Sequence, residues 1–395
     1  MKKTLYLLLA AALCFAACAQ TPDWTTTWAT ALQIAEPHNN PPAPGLADNS
    51  FRQIVQVSIG GKALRLHLSN LFNEDETEIL GVEIARAATM GASPEIVDGS
   101  TVELTFGGER AFTMAPGDEV VSDPVDFALA ERENLAITIH YGKISATRLT
   151  SHPGSRTTSY IAAGNTTDFS EPVTKTDHWY TISAIDVMPL RPSAAIAVLG
   201  DSITDGRGTT TNGQDRWTDQ LSRNLLAHNK NIAVLNFGLG GNCVLQGGLG
   251  PTGLSRYKRD LFGHEGVKYV ILFEGVNDLG NSMDGVATAE GVKKAWQQII
   301  REAHARGIKV FGATVTPFKG NGYARGNHEE GRKALNEWIH TGGELDGVID
   351  FDAMVRDTQD PDRLNPAFLF ENDWLHLNAS GYETMGKGID LKLFK

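Results

Sequence analysis

The pattern of apolar and polar positions divides the chain into two textures. From about Trp24 to Met188, short runs alternate with period two at residues 51–58, 64–68, 81–85, 101–106 and 135–140. Such alternation marks half-buried strands. Gly60-Gly61-Lys62, Gly107-Gly108 and Pro116-Gly117-Asp118 supply turns between the runs, and no long helical pattern intervenes. The expectation for residues 24–188 is an antiparallel all-β sandwich domain.

From about Arg191 the apolar runs become continuous and are separated by stretches with helical spacing. Residues 194–200, 232–237, 267–273, 309–315 and 348–351 read as buried strands. A helix is predicted over 288–306, where Val292, Ala295, Trp296, Ile299, Ile300 and Ala303 form one stripe and Gly307 stands at the C-cap. A second helix is predicted over 328–340 and a short one at the C-terminus. Strand and helix in alternation give an α/β domain over residues 191–395: a doubly wound parallel sheet in three layers, joined by right-handed crossovers. The boundary falls at Pro189 to Pro192.

Residues 1–18 stand apart from both textures. Lys2 and Lys3 precede a greasy run from Leu5 to Ala17, about a dozen residues and too short for the roughly 20 of a membrane span. This is the pattern of a secretory signal. Its end, Phe15-Ala16-Ala17-Cys18, resembles a bacterial lipobox, so Cys18 is the expected lipidation site of an exported, membrane-anchored lipoprotein. The alternative is a soluble secreted protein cleaved nearby. Cys14, with Leu13 before it, fits the lipobox less well.

Composition narrows the partners. The chain of 395 residues has 35 Lys+Arg against 47 Asp+Glu, a net charge of −12, which becomes −14 once Lys2 and Lys3 leave with the signal. An acidic chain without a basic block is a poor ligand for nucleic acid. Loss of the leader also removes Cys14 and, on ordinary cleavage, Cys18. Cys243 is then the one thiol of the folded body, which excludes an internal disulfide and a cysteine zinc cluster. The histidines show no His-Glu-x-x-His spacing, and neither a catalytic metal nor a phosphate loop is expected.

In open parallel sheets, ligands bind outside the carboxyl ends of the strands. Four loops there carry chemistry: Gly200-Asp201-Ser202-Ile203, Gly238-Leu239-Gly240-Gly241-Asn242, Gly275-Val276-Asn277-Asp278 and Asp373-Trp374-Leu375-His376. A serine nucleophile needs a base, a carboxylate to orient the base, and donors for the developing oxyanion. Ser202, His376 and Asp373 meet the first three needs. The amides of Ser202 and Gly241 and the side chain of Asn277 meet the last. Asp201 and Asp278 read as loop braces, and Cys243 as a small buried hydrophobe.

In order and context, these loops resemble the four blocks of the SGNH or GDSL hydrolase family, named for a Ser, Gly, Asn and His. The matches are Ser202 in Gly-Asp-Ser-Ile, Gly241, Asn277 in Gly-x-Asn-Asp and His376 in Asp-x-x-His, within residues 194–386. Ile203 replaces the Leu of the founding motif, and Gly240 competes with Gly241 for the second block. The resemblance implies a flavodoxin-like SGNH fold and ester hydrolysis without a cofactor. With a β-rich domain in front, the arrangement also resembles two-domain secreted esterases found beside xylan-degrading enzymes. That likeness implies removal of acetyl or similar short acyl groups from plant polysaccharide.

Two other classes compete with this reading: a general or lipid-directed esterase of the same mechanism, and a non-enzymatic carbohydrate-binding surface lipoprotein. No greasy lid segment adjoins the four loops, which disfavours a lipase. Trp374, between Asp373 and His376, is the candidate substrate-binding aromatic; Trp217, Phe318 and Tyr323 suit an acyl pocket or core equally. In the β region, Trp24, Trp28 and Trp179 either bind carbohydrate or pack, while Arg65, His67, Asn70 and Asn73 are candidates for the cleft edge.

Overall fold

The computed structural model describes residues 24–170 and 172–395. The signal segment and Cys18 lie outside the described residues.

Antiparallel pairing dominates the chain as far as Val187. One sheet orders the strands Thr25–Ala29, Ile182–Val187, Gly61–Ser69 and Glu119–Val121, with Val125–Leu129 also on Gly61–Ser69. A larger sheet centres on Ser50–Gln56, Asn134–Tyr141 and Thr77–Arg86. Alternation decides which side chains enter the core: Leu64, Leu66 and Leu68 from one sheet, and Val82, Ile84, Leu135, Ile137 and Ile139 from the other, belong to one apolar cluster. Truncating one of them, as in Ile137→Ala, costs about 2–5 kcal/mol.

The second region is a five-stranded parallel sheet. Its strands, in chain order, are Ala194–Gly200, Ile232–Gly238, Val267–Phe273, Lys309–Ala313 and Gly347–Ile349. In space the first lies between the second and the third, followed by the fourth and fifth. The chain reverses direction across the sheet beside the first strand, which is where such sheets open a crevice. Helices α2 (Trp217–Ala227), α7 (Phe351–Val355) and α8 (Ala379–Gly388) pack together, as do α3 (Gly253–Phe262), α5 (Gly285–His304) and α6 (His328–Thr341).

Local chemistry sets the ends of these elements. Helix α5 begins three residues before the predicted start because the Asp284 carboxylate accepts the amides of Val286 and Ala287. It ends at Gly307, whose φ of +72° lets Ile308 N–H reach Ala303 O and Gly307 N–H reach His304 O. The fifth strand is shorter than predicted. Asp350 accepts the amide of Ala353 and starts α7, so Phe351 enters the core from a helix.

The regions meet along a polar and apolar seam. Thr26 N–H donates to Glu265 O, and Ser58 Oγ donates to Val234 O at 3.1 Å. The apolar cluster runs through the seam without a break, from Trp28 and Leu66 to Val198 and Phe237. Among the described residues, no helix is long and apolar enough to cross a membrane.

Candidate active site

The first parallel strand stops at Gly200, where a Cβ would lie 2.2 Å from Thr204 Oγ1. A glycine is therefore required for the turn to close. Asp201 caps the short helix α1 (Ser202–Asp205) by accepting the amide of Ile203 at 2.9 Å, and Gly206 ends it with φ +97°. Ser202 thus stands at the carboxyl end of the first parallel strand.

The loop near the C-terminus brings His376 to it. Ser202 Oγ lies 2.8 Å from His376 Nε2, and His376 Nδ1 lies 2.6 Å from Asp373 Oδ2. The other carboxylate oxygen of Asp373 accepts the amides of Leu375 and His376. This geometry fixes the tautomer: a carboxylate only accepts, so Nδ1 carries the proton and Nε2 offers its lone pair to the serine. Burial opposes the charge on Asp373, yet the ring and amide of His376 and the amide of Leu375 outweigh it and hold the carboxyl below its ordinary range. Trp374 takes φ +58° so that the turn closes within three residues.

Asn277 sits in α4 (Val276–Asn281), which follows the third strand through Gly275. Its Nδ2 donates to Asn242 O at 2.9 Å, and its Oδ1 accepts from Tyr323 Oη at 3.0 Å. The amide is locked at both atoms, and one Nδ2–H remains. Among the described residues, the amides of Ser202 and Gly241 donate to nothing else. Gly241 has φ +67°, a conformation that costs other residues strain.

Beneath these loops lies a cation that motif reading did not single out. Arg256, from α3 and fully buried, donates from Nε to Asn242 Oδ1, from Nη1 to Phe237 O and Asp260 Oδ2, and from Nη2 to Gly200 O. It ties the ends of the first two strands to the loop that receives Asn277. Its only signal in sequence is a charge on the inner face of a helix. Around it, burial pushes three carboxyls up: Glu274 to about 8, Asp201 to about 7 and Asp278 to about 6. Asp278 braces the loop by accepting the amides of Val244 and Leu245. Cys243 is buried, which, with Asp278 nearby, pushes its thiol up to about 12 and makes it a packing group.

Several sequence candidates lie elsewhere or act differently. Trp217 and Phe318 are core residues, and Trp217 donates to Thr204 Oγ1. Tyr323 orients Asn277. Trp374 is half-buried, with the Arg363 guanidinium 4.7 Å from its ring centroid and Gly320 against its edge. In the β region, Trp28 and Trp179 are buried edge to face at 5.1 Å, so neither presents a face to a sugar. Arg65 and His67 do not edge the cleft: both bind Asp186, and Arg65 also reaches Glu265, at the end of the parallel sheet opposite Ser202. Asn70 and Asn73 brace loops through Met114 O, Ala115 O and Thr77 Oγ1. Short polar side chains on strand ends satisfy local backbone first.

Comparison with known proteins bears on the α/β region. Residues 198–384 match the model of the GDSL-like Lipase/Acylhydrolase family. No curated protein matches the chain. Among solved structures, a carbohydrate acetylesterase family member from Sinorhizobium meliloti is 17% identical over 51% of this chain and 98% of its own, with TM-score 0.40. A lipase/acylhydrolase from Enterococcus faecalis is 25% identical over 49% and 91%, with TM-score 0.38. A second carbohydrate acetylesterase from Sinorhizobium meliloti is 18% identical over 49% and 95%, with TM-score 0.39. Residues 198–384, which carry Ser202, Asn277 and His376, are thus a GDSL-like lipase/acylhydrolase domain.

Proposed function

We propose that this protein is an exported serine esterase that removes acetyl or other short acyl groups from carbohydrate, plant polysaccharide above all. The observation that carries the reading is the continuous relay Ser202 Oγ, His376 Nε2 and Nδ1, Asp373 Oδ2, at 2.8 and 2.6 Å. His376 takes the Ser202 proton as Oγ attacks the ester carbonyl. The oxyanion is received by the amides of Ser202 and Gly241 and the remaining N–H of Asn277. Collapse expels the sugar alcohol, which takes its proton from His376. Water, deprotonated by the same nitrogen, then releases the acyl group as the free acid.

Two features support a short acyl group on a sugar. Tyr323 lies against Gly280 and bonds Asn277, so an aromatic ring fills the space beside the oxyanion donors. Trp374, with Asn321 bonded to Asp373 O and Arg363 over its ring, makes an aromatic and polar edge next to His376. Such an edge suits a sugar ring better than a long acyl chain. Membrane attachment through Cys18 alone completes the proposal.

Acetate release from acetylated xylan and other acetylated glycans, alongside p-nitrophenyl acetate and longer-chain esters, tests the reading. Wild type is expected to release acetate from a glycan and Ser202→Ala to release none. Turnover of synthetic esters alone removes the polysaccharide part. Equal turnover by both proteins removes the nucleophile, and no turnover by either favours a binding protein.

A further inference from the structure

Helix α1 has four residues, too few to hold its own place. Ser202 therefore stands where its neighbours put it, and the last residue of that helix has a neighbour in the β region. Asp205 Oδ1 lies 3.0 Å from His152 Nε2, both side chains being buried. His152 is itself held on two sides: its Nδ1 is 2.9 Å from Ala31 O, and its ring stacks on Trp179 at 5.6 Å. Both ring nitrogens face oxygen acceptors, Ala31 O on one side and the Asp205 carboxyl on the other.

The surrounding contacts leave Asp205 little room. A Cβ on Gly154 would fall 1.9 Å from Asp205 Oδ2, and one on Gly238 would fall 2.3 Å from Asp205 N. A Cβ on Gly240, beside Gly241, would lie 3.7 Å from Oδ2. Asp205 is thus wedged between the loop that carries the oxyanion glycine and the β-region segment 152–156. The α/β region holds that segment in return. Arg216 donates to Ser155 O and to Asp205 O, Gln214 donates to Thr157 Oγ1, and Asn212 N–H donates to Arg156 O.

We infer that His152 is a positioning residue of the esterase site: acting through Asp205, it fixes the turn of Ser202 against the oxyanion loop, and the β region thereby completes a site whose reacting groups all lie in the other region. The inference rests on Ser202 being the nucleophile. Placing an attacking atom within a few tenths of an ångström matters because a displacement near 1 Å costs about 10²-fold in rate. The loss falls on kcat, since His152 touches Asp205 and not the substrate.

Isosteres separate positioning from packing. His152→Gln keeps a donor where Nε2 stands and loses the one toward Ala31; His152→Asn keeps the donor toward Ala31 and loses the one toward Asp205. With p-nitrophenyl acetate, His152→Asn is expected to lower kcat about 10- to 100-fold with KM within about twofold, while His152→Gln stays within about threefold of wild type. Asp205→Ala is expected to match His152→Asn, and the double variant to be no worse than either. Equal kcat in the Asn and Gln variants, or additive losses in the double variant, overturns the inference. If His152→Asn does not fold, Gly154→Ala applies the same test by pushing on Asp205, and an unchanged kcat there also overturns it. A wild type without Ser202-dependent turnover overturns the underlying esterase reading, whereas an active wild type with an unaffected His152→Asn overturns only the positioning role.

Discussion

Both regions bury carboxylates, and they treat them in opposite ways. In the β region, Asp186 is fully buried, but Thr26 Oγ1, Arg65 Nε and His67 Nε2 all donate to it, within 2.6–2.8 Å. Burial works against its charge, the donors outweigh burial, and the carboxyl is held down to about 2. In the α/β region, Glu274 is equally buried and, among the described residues, neither oxygen has a hydrogen-bond partner; the opposite charge of Arg256 Nη2 is 3.6 Å away. Burial wins there, and the carboxyl is pushed up to about 8. The deciding variable is the number of donors per carboxylate. The β region uses its acids to hold strands together, whereas the floor of the candidate active site gathers acids around one shared arginine.

The largest expected effect strikes the site alone. Asp373→Asn should lower kcat by about 10⁴-fold on p-nitrophenyl acetate, because the tautomer of His376 is no longer enforced, with the thermal midpoint nearly unchanged. Activity of wild type should also fall in acid, because only a neutral His376 ring can take the Ser202 proton, while its donors hold the Asp373 carboxyl low. A flat profile would remove His376 as the base. Asn277→Ala comes next, with about a 10²- to 10³-fold loss in kcat. Tyr323→Phe should lose about 3- to 10-fold, since it frees one end of the Asn277 amide.

Asp186→Ala inverts the pattern. It should destabilise by about 2–3 kcal/mol in a denaturant titration, discounted because Arg65 and His67 are partly exposed, and leave kcat unchanged. A loss of kcat would show that the regions are less separable than their carboxylates suggest. The sign of its pH effect follows from a lowered folded pKa: the stability that Asp186 contributes is present above 3.8 and is lost as pH falls toward about 2. Glu274 has the opposite sign. Its raised folded pKa means that the folded state binds the proton more tightly, so its contribution declines as pH rises from 4.5 to about 8. Glu274→Gln should therefore raise the thermal midpoint by a few degrees at pH 8 and little at pH 5, the smallest effect of the set. Equal shifts at both pH values would mean that Glu274 is ionised in the folded protein.

Much of the site was legible because its signals are local. Asp373 and His376 meet within three residues, and the Asp201 cap and the four polar loops lie at strand ends that periodicity alone locates. The five parallel strands begin and end within a few residues of expectation for the same reason: continuous apolar runs bounded by Gly and Asp leave few alternatives. Readings that required distance failed. Arg65 and His67 were charges on a strand with no visible partner, yet Asp186 is far along the chain and binds both. For Trp28 and Trp179 the sequence left sugar binding and packing both open, and the strands that bury them decide for packing.

The sequence by itself therefore determined the order of strands and helices, the turn that carries Ser202 and the pairing of Asp373 with His376, because each depends on residues within one turn or one strand of one another. Only the tertiary structure decided that Arg256 ties three loops together, that Tyr323 holds Asn277, and that His152 reaches Asp205 across 53 residues of chain. Those contacts join positions with no common period or spacing. What brings them together is burial: once the apolar cluster spans both regions, every polar group trapped beside it must find a partner across the seam.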